Sequence, residues 1–214
     1  MKRTRLVIGA LAITTTVTAV AAVASGGWNT SDSLPYYGAA DLTPQWTETA
    51  HRVGAFRLTT QTGEAFGEAE LVGRPYVASF IYTRCSVVCP TLVRQLTRVS
   101  EGVSDPRFQL VSFSVTPDLD TPDVLAAFGR SKHIDPTRWK LLTGDKRSIY
   151  ALARDSFFAT DERLRTLLDP AEALLHTERL TLVDGAGRIR GVYNGSQAAE
   201  VDHLIEDANR VLRF

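Results

Sequence analysis

The chain has 214 residues, 44% of them hydrophobic, with 24 basic and 24 acidic side chains. That length suits one globular domain plus a non-globular N-terminus, and the cancelled charge excludes the global field that a nucleic-acid binder or an acidic-membrane binder relies on. Met1 is the sole methionine, which excludes a thioether-rich metal site, and Cys85 and Cys89 are the only cysteines, so a soft-metal site must use both.

Lys2, Arg3 and Arg5 precede a run over residues 6–24 that contains no charged side chain, the pattern of an export signal whose basic end stays in the cytoplasm. The run is just long enough to span a membrane as a helix, although Thr14, Thr15, Thr16 and Thr18 weaken it and Ala22-Val23-Ala24 offers a cleavage site. A retained anchor over residues 1–25 is the favoured reading, with a cleaved, soluble exported form as its alternative. No cysteine lies near this segment, so lipid attachment to an N-terminal cysteine is excluded. Residues 26–49, polar and broken by Pro35 and Pro44, read as an extracytoplasmic tether into a domain over 50–214, with Leu34-Pro35-Tyr36-Tyr37-Gly38 available to pack on it.

Residues 56–60 and 65–66, around the turn Gln61-Thr62-Gly63, predict a short hairpin. From Arg74 onward strands and helices alternate. A buried strand is expected over 76–82 and a helix over 90–103, with Leu92, Val93, Leu96 and Val99 on its apolar face. The second strand spans 108–115, and Asp120-Thr121-Pro122 then starts a helix that reaches Phe128, with proline preset for the first turn. A third strand over 139–142 and a helix over 145–158 lead to a charged insertion over 159–175. Residues 176–183 and 188–193, joined at Asp184-Gly185-Ala186-Gly187, form a hairpin, and an amphipathic helix over 198–212 ends the chain. This βαβ unit followed by ββα is the thioredoxin-like order: an α/β fold with a central mixed sheet flanked by helices, here with an added N-terminal hairpin.

The chemistry concentrates at Arg84-Cys85-Ser86-Val87-Val88-Cys89-Pro90, where strand periodicity gives way to helix periodicity. Two thiols four residues apart at a helix start share one face, close enough to share a metal ion or close a disulfide. The unpaired amides and positive dipole end of that helix favour thiolate over thiol. A purely structural disulfide is the plain alternative, but closing so short a loop stabilises weakly. In the thioredoxin-like order the hairpin lies beside the strand that delivers the dithiol, and the residue entering it is His176, where a redox enzyme of this fold usually has proline. Two thiolates and one imidazole suit copper(I), and hold copper(II) with a further weak ligand, whereas the sequence marks no fourth ligand for structural zinc. His51, His133 and His203 read as surface or capping residues.

The run Phe80-Ile81-Tyr82-Thr83-Arg84-Cys85 to Cys89-Pro90-Thr91, then Ser114-Val115, Pro117 and Asp120-Thr121-Pro122, then His176-Thr177 with Leu182-Val183-Asp184, resembles the Sco/SenC family of copper chaperones. The resemblance implies a thioredoxin-like domain outside the cytoplasmic membrane that binds copper through Cys85, Cys89 and His176. It would serve assembly of the dinuclear copper centre of cytochrome c oxidase, by delivering copper to that copper-centre subunit or by reducing its cysteines, with other copper chaperones or thiol reductants as further partners. Two positions depart from the family pattern. Thr116 and Leu175 stand where aspartate is frequent, which removes acidic groups that would orient the imidazole. Asp118 and Asp120 offer a partial substitute for those groups, with solvated helix-capping residues as the favoured reading of both. A thiol-disulfide reductase cycling Cys85 and Cys89 is the competing function. A peroxiredoxin-type peroxidase ranks below both because its Pro-x-x-x-Thr-x-x-Cys arrangement is missing.

Overall fold

The computed structural model describes residues 33–84, 89–159 and 178–213, with Cys89 described through its backbone alone. In chain order the elements are β1 (Arg57–Thr60), β2 (Ala65–Gly67), a 3-10 turn (Glu68–Leu71), β3 (Tyr76–Ile81), α1 (Cys89–Gly102), β4 (Gln109–Ser114), α2 (Pro122–Ser131), β5 (Trp139–Thr143), α3 (Lys146–Asp155), β6 (Arg179–Val183), β7 (Ile189–Asn194) and α4 (Ala198–Val211). The strands form one seven-stranded sheet in the order β2-β1-β5-β4-β3-β6-β7. Its middle, β5-β4-β3, is parallel, and the flanking strands pair antiparallel, so the sheet is mixed as expected. The predicted N-terminal hairpin forms, and β1 joins the sheet along β5.

All six residues of β3 and all six of β4 are buried, because helices cover both faces of a parallel sheet. Alternation along the strands divides their side chains between two cores. Val77 and Ile81, with Leu110 and Leu141, pack under Leu92, Leu96 and Val99 of α1, Leu125 of α2 and Val201, Leu204 and Ala208 of α4. Tyr76, Ala78 and Phe80, with Val111 and Phe113, face Ile149, Leu152 and Ala153 of α3 and the buried Phe157. At ~25 cal/mol per Å2 of apolar surface, each buried Leu or Phe contributes roughly 1.5–3 kcal/mol, so these cores dominate stability.

Buried polar groups in the sheet are paired. The Ser79 and Ser112 hydroxyls lie 2.7 Å apart on neighbouring strands, and the Trp139 indole N–H donates to Ser112 Oγ at 2.8 Å. Gln61 does more than turn the hairpin. Its amide donates to Trp139 O at 2.8 Å and accepts from Leu141 N–H at 2.9 Å, continuing the β1–β5 ladder with a side chain where the backbone of β1 has turned away.

Leu34 to Tyr37 pack on the domain as the sequence allows. Leu34 is buried, the Tyr37 amide donates to Ile189 O at 3.1 Å, and the Arg190 guanidinium stacks on the Tyr36 ring while donating to the Leu34 and Pro35 carbonyls. The apolar N-terminal segment lies outside the described residues. Among the described residues no helix is long and apolar enough to cross a membrane.

Candidate functional site

Strand β3 carries the chain to the start of α1, the two elements that bracket the dithiol. Cys89 is the first residue of α1 and Pro90 the second, so the helix begins where the sequence pattern placed it. Proline fits there because its missing amide hydrogen would have had no helical partner. Cys85, the Cys89 side chain and His176 lie outside the described residues, as do Ser86 to Val88 and Leu175. What the structure fixes is the frame around them.

The first side of that frame is β6. It pairs antiparallel with β3, Ala78 opposite Thr181 and Tyr76 opposite Val183, so the start of β6 lies at the end of the sheet where β3 leads toward Cys85. Gly195, just beyond β7, locates the strand entry against the helix. Its amide donates to Glu178 O at 2.7 Å, and a Cβ placed on Gly195 would come within 2.5 Å of Leu92 Cδ1 and 2.9 Å of Glu178 O. Leu92 is one helical turn beyond Cys89, and Glu178 is two residues beyond His176. Leu92, in the first turn of α1, and Glu178, at the entry to β6, therefore meet at Gly195.

The second side is a buried carboxylate. Asp120 is fully buried and accepts four hydrogen bonds: from Thr83 Oγ1 at 2.5 Å to Oδ1, and to Oδ2 from the Thr83 amide at 3.3 Å, Ser114 Oγ at 2.7 Å and Thr116 Oγ1 at 3.1 Å. This corrects the expectation that Asp120 is a solvated capping residue. Thr121 is the cap of α2, its hydroxyl facing the Val124 amide, and Asp120 turns inward because three hydroxyls and an amide there need an acceptor. Asp118 does stay exposed, with its carboxylate 3.6 Å from Lys146 Nζ. Thr116, where the family pattern often has aspartate, acts as a donor to Asp120, so the carboxylate at this corner comes from four residues further along. The sequence signal for Asp120 was a cap position already filled by its neighbour, together with hydroxyls at 83, 114 and 116.

The remaining histidines stand away from this corner. His51 has Nε2 2.9 Å from Ser156 O and its ring 4.6 Å from Phe158. His133 closes α2 with a positive φ of 54°, and His203 is exposed within α4. Among the described residues no group of three or more His, Cys, Asp and Glu side chains is placed to hold a metal ion.

A mixed sheet with helices on both faces and a Cys-x-x-x-Cys pair opening the first helix after β3 defines a protein of the thioredoxin-like class. The SCO1/SenC family model matches residues 44–213. The chain belongs to the SCO1/SenC family. It is 27% identical over 160 residues to the SCO1 protein homolog of Bacillus subtilis, covering 73% of this chain and 81% of that one. Among solved structures it is similar to BsSco, a member of the Sco family of cytochrome c oxidase assembly proteins in which a disulfide switch was identified, with 25% identity, a TM-score of 0.65, and coverage of 77% of this chain and 95% of that one. It is also similar to copper-bound ScoI of Bradyrhizobium japonicum, with 25% identity, a TM-score of 0.56, and coverage of 77% and 99%.

Proposed function

We propose that this chain is a copper metallochaperone for the dinuclear copper centre of cytochrome c oxidase, held on the extracytoplasmic side of the cytoplasmic membrane by a single N-terminal span. Copper is its cargo, bound by Cys85, Cys89 and His176. The observation that carries this reading is the meeting at Gly195 of the first turn of α1 with Glu178, which draws the segment after His176 toward the helix that Cys89 opens. Two thiolates with one imidazole fit copper(I), a soft ion that accepts low coordination. The helix start favours the thiolate form that such binding requires. Support also comes from the copper bound by the Bradyrhizobium relative and from the oxidase-assembly role of BsSco.

The dithiol at a thioredoxin-like helix start, together with the disulfide switch of BsSco, favours a second reading, reduction of a partner's disulfide. In that reaction a Cys85 or Cys89 thiolate attacks the partner disulfide, and the second thiol resolves the mixed disulfide, leaving Cys85–Cys89 oxidised and the partner with two thiols. Copper(I) occupies the same thiols, so each state excludes the other.

The test is anaerobic loading of the reduced full chain with copper(I), beside Cys85→Ser, Cys89→Ser and His176→Ala. The expected result is one copper per chain, lost in either serine variant and weakened in His176→Ala. Full stoichiometric binding by the double serine variant would rule out the assignment. Absence of retained copper, with a readily reducible Cys85–Cys89 disulfide, would favour the reductase.

A further inference from the structure

We infer that Asp120 is the positioning residue of the dithiol loop: its buried carboxylate fixes Thr83, two residues before Cys85, to the turn between β4 and α2, and so sets how Cys85 meets Cys89. The inference rests on the proposed dithiol site and deepens it. The β3–β4 ladder ends where the Val115 amide donates to Ile81 O at 2.9 Å. Beyond that point Asp120 links the two strand ends, bonding the Thr83 amide and hydroxyl on one side and Ser114 and Thr116 on the other. The turn is held from behind as well, because Tyr150 of α3 donates its hydroxyl to Val115 O at 2.7 Å.

A buried carboxylate is tolerated only when its acceptor capacity is filled. Two carboxylate oxygens offer about four acceptor sites, and four donors occupy them here. Three of those donors fall on Oδ2 and one, the Thr83 hydroxyl, on Oδ1, so Asp120 is committed on both oxygens to this corner and acts through Thr83. Capping does not account for its burial either, since Thr121 caps α2. Thr83 is fixed on one side of the dithiol and Leu92, in the first turn of α1, is packed in the core on the other. Disulfide closure tolerates only a narrow range of Cβ separations, and metal binding depends on ligands held in advance.

The experiment uses the full chain with Asp120→Asn, Thr83→Val and Thr83→Ser, and with Ser79→Ala as a control that removes a buried hydroxyl pair in the sheet core. Copper(I) affinity is read by competition with bicinchoninate. The Cys85–Cys89 potential is read in dithiothreitol buffers, where the disulfide takes up two electrons and two protons as the reagent closes to its cyclic disulfide. Asp120→Asn and Thr83→Val are expected to weaken copper(I) at least tenfold and to shift the thiol–disulfide equilibrium at least tenfold, about 30 mV for two electrons. Thr83→Ser, which keeps the donor, should restore both, and Ser79→Ala should lower the melting temperature while moving neither. The inference is overturned if Asp120→Asn and Thr83→Val lose stability as Ser79→Ala does, with affinity within twofold and the potential unmoved. If Asp120→Asn does not fold, the Thr83→Val and Thr83→Ser pair decides. If the parent chain holds no copper, the copper reading fails and the potentials alone decide the role of Asp120.

Discussion

Gly195→Ala probes the convergence on which the functional reading stands. The added methyl would sit 2.5 Å from Leu92 Cδ1, 2.9 Å from Glu178 O and 2.9 Å from Leu180 Cγ. The Leu92 methyl end can swing away, but Glu178 O is backbone and accepts from the Gly195 amide at 2.7 Å, so it can retreat only by stretching that bond. Overpacking of this kind costs ~1–3 kcal/mol, which for a domain of this size lowers the melting temperature by roughly 2–12 °C. Leu92→Ala alone opens a cavity, because Leu92 is buried in the core, and costs ~2–5 kcal/mol. In the double variant the two changes partly relieve each other, so a double-mutant cycle should show a coupling of ~0.5 kcal/mol or more in the compensating direction. Because Glu178 is two residues from His176, Gly195→Ala should also alter the copper(II) absorption spectrum. Thermal unfolding of the four chains, with spectra of copper-loaded samples, makes the test. A neutral Gly195→Ala, additive with Leu92→Ala and spectrally silent, would refute the placement of Glu178 against α1.

Other consequences are open to simple assays. Gln61→Ala leaves a buried carbonyl and a buried amide of β5 without partners, and should destabilise by ~2–4 kcal/mol in urea unfolding. Arg190→Ala removes the stacking on Tyr36 and the bonds to Leu34 O and Pro35 O, so amide exchange at Tyr36 and Gln45 should accelerate while β3 and β4 stay protected. The same segment should loosen in acid. Hydrogen bonds from Arg188, then from Arg52, hold the Glu48 carboxyl below the ordinary glutamate value. Its contribution is therefore present above that ordinary value and lost as pH falls through the lower folded one, which exchange measured from the ordinary glutamate value downward will report.

The parts of the fold legible in the sequence are those that local pattern determines. The run Tyr76–Ile81 is apolar enough to be a buried strand, and Cys89-Pro90 followed by Leu92, Val93, Leu96 and Val99 has helical spacing and a proline suited to a first turn. The hairpin after residue 176 was legible from its glycine turn, and its pairing with β3 from the element order. Element ends depended on tertiary contacts. Helix α2 continues to Ser131, past Phe128, where the buried Gly129 accepts from the Ile134 amide at 2.9 Å, and α3 stops at Asp155, short of Phe158, whose φ of 49° leaves the helical region. Asp120 was illegible for a related reason. Its link to Thr83 spans 37 positions, so although Thr121 already filled the cap position, the local sequence did not say which distant group an inward-turned Asp120 would bind. Gln61 likewise looked like a turn residue, since its partners on β5 lie 78 and 80 positions away.

X-ray absorption at the copper edge of the full chain, loaded with one copper(I) and compared with His176→Ala, tests the central claim most directly. The account predicts two sulfur ligands and one imidazole in the parent, with the imidazole contribution gone from the variant and both sulfurs kept. A copper shell identical in the two proteins, or one without imidazole in the parent, would contradict the assignment of His176 as the ligand that completes the Cys85–Cys89 site.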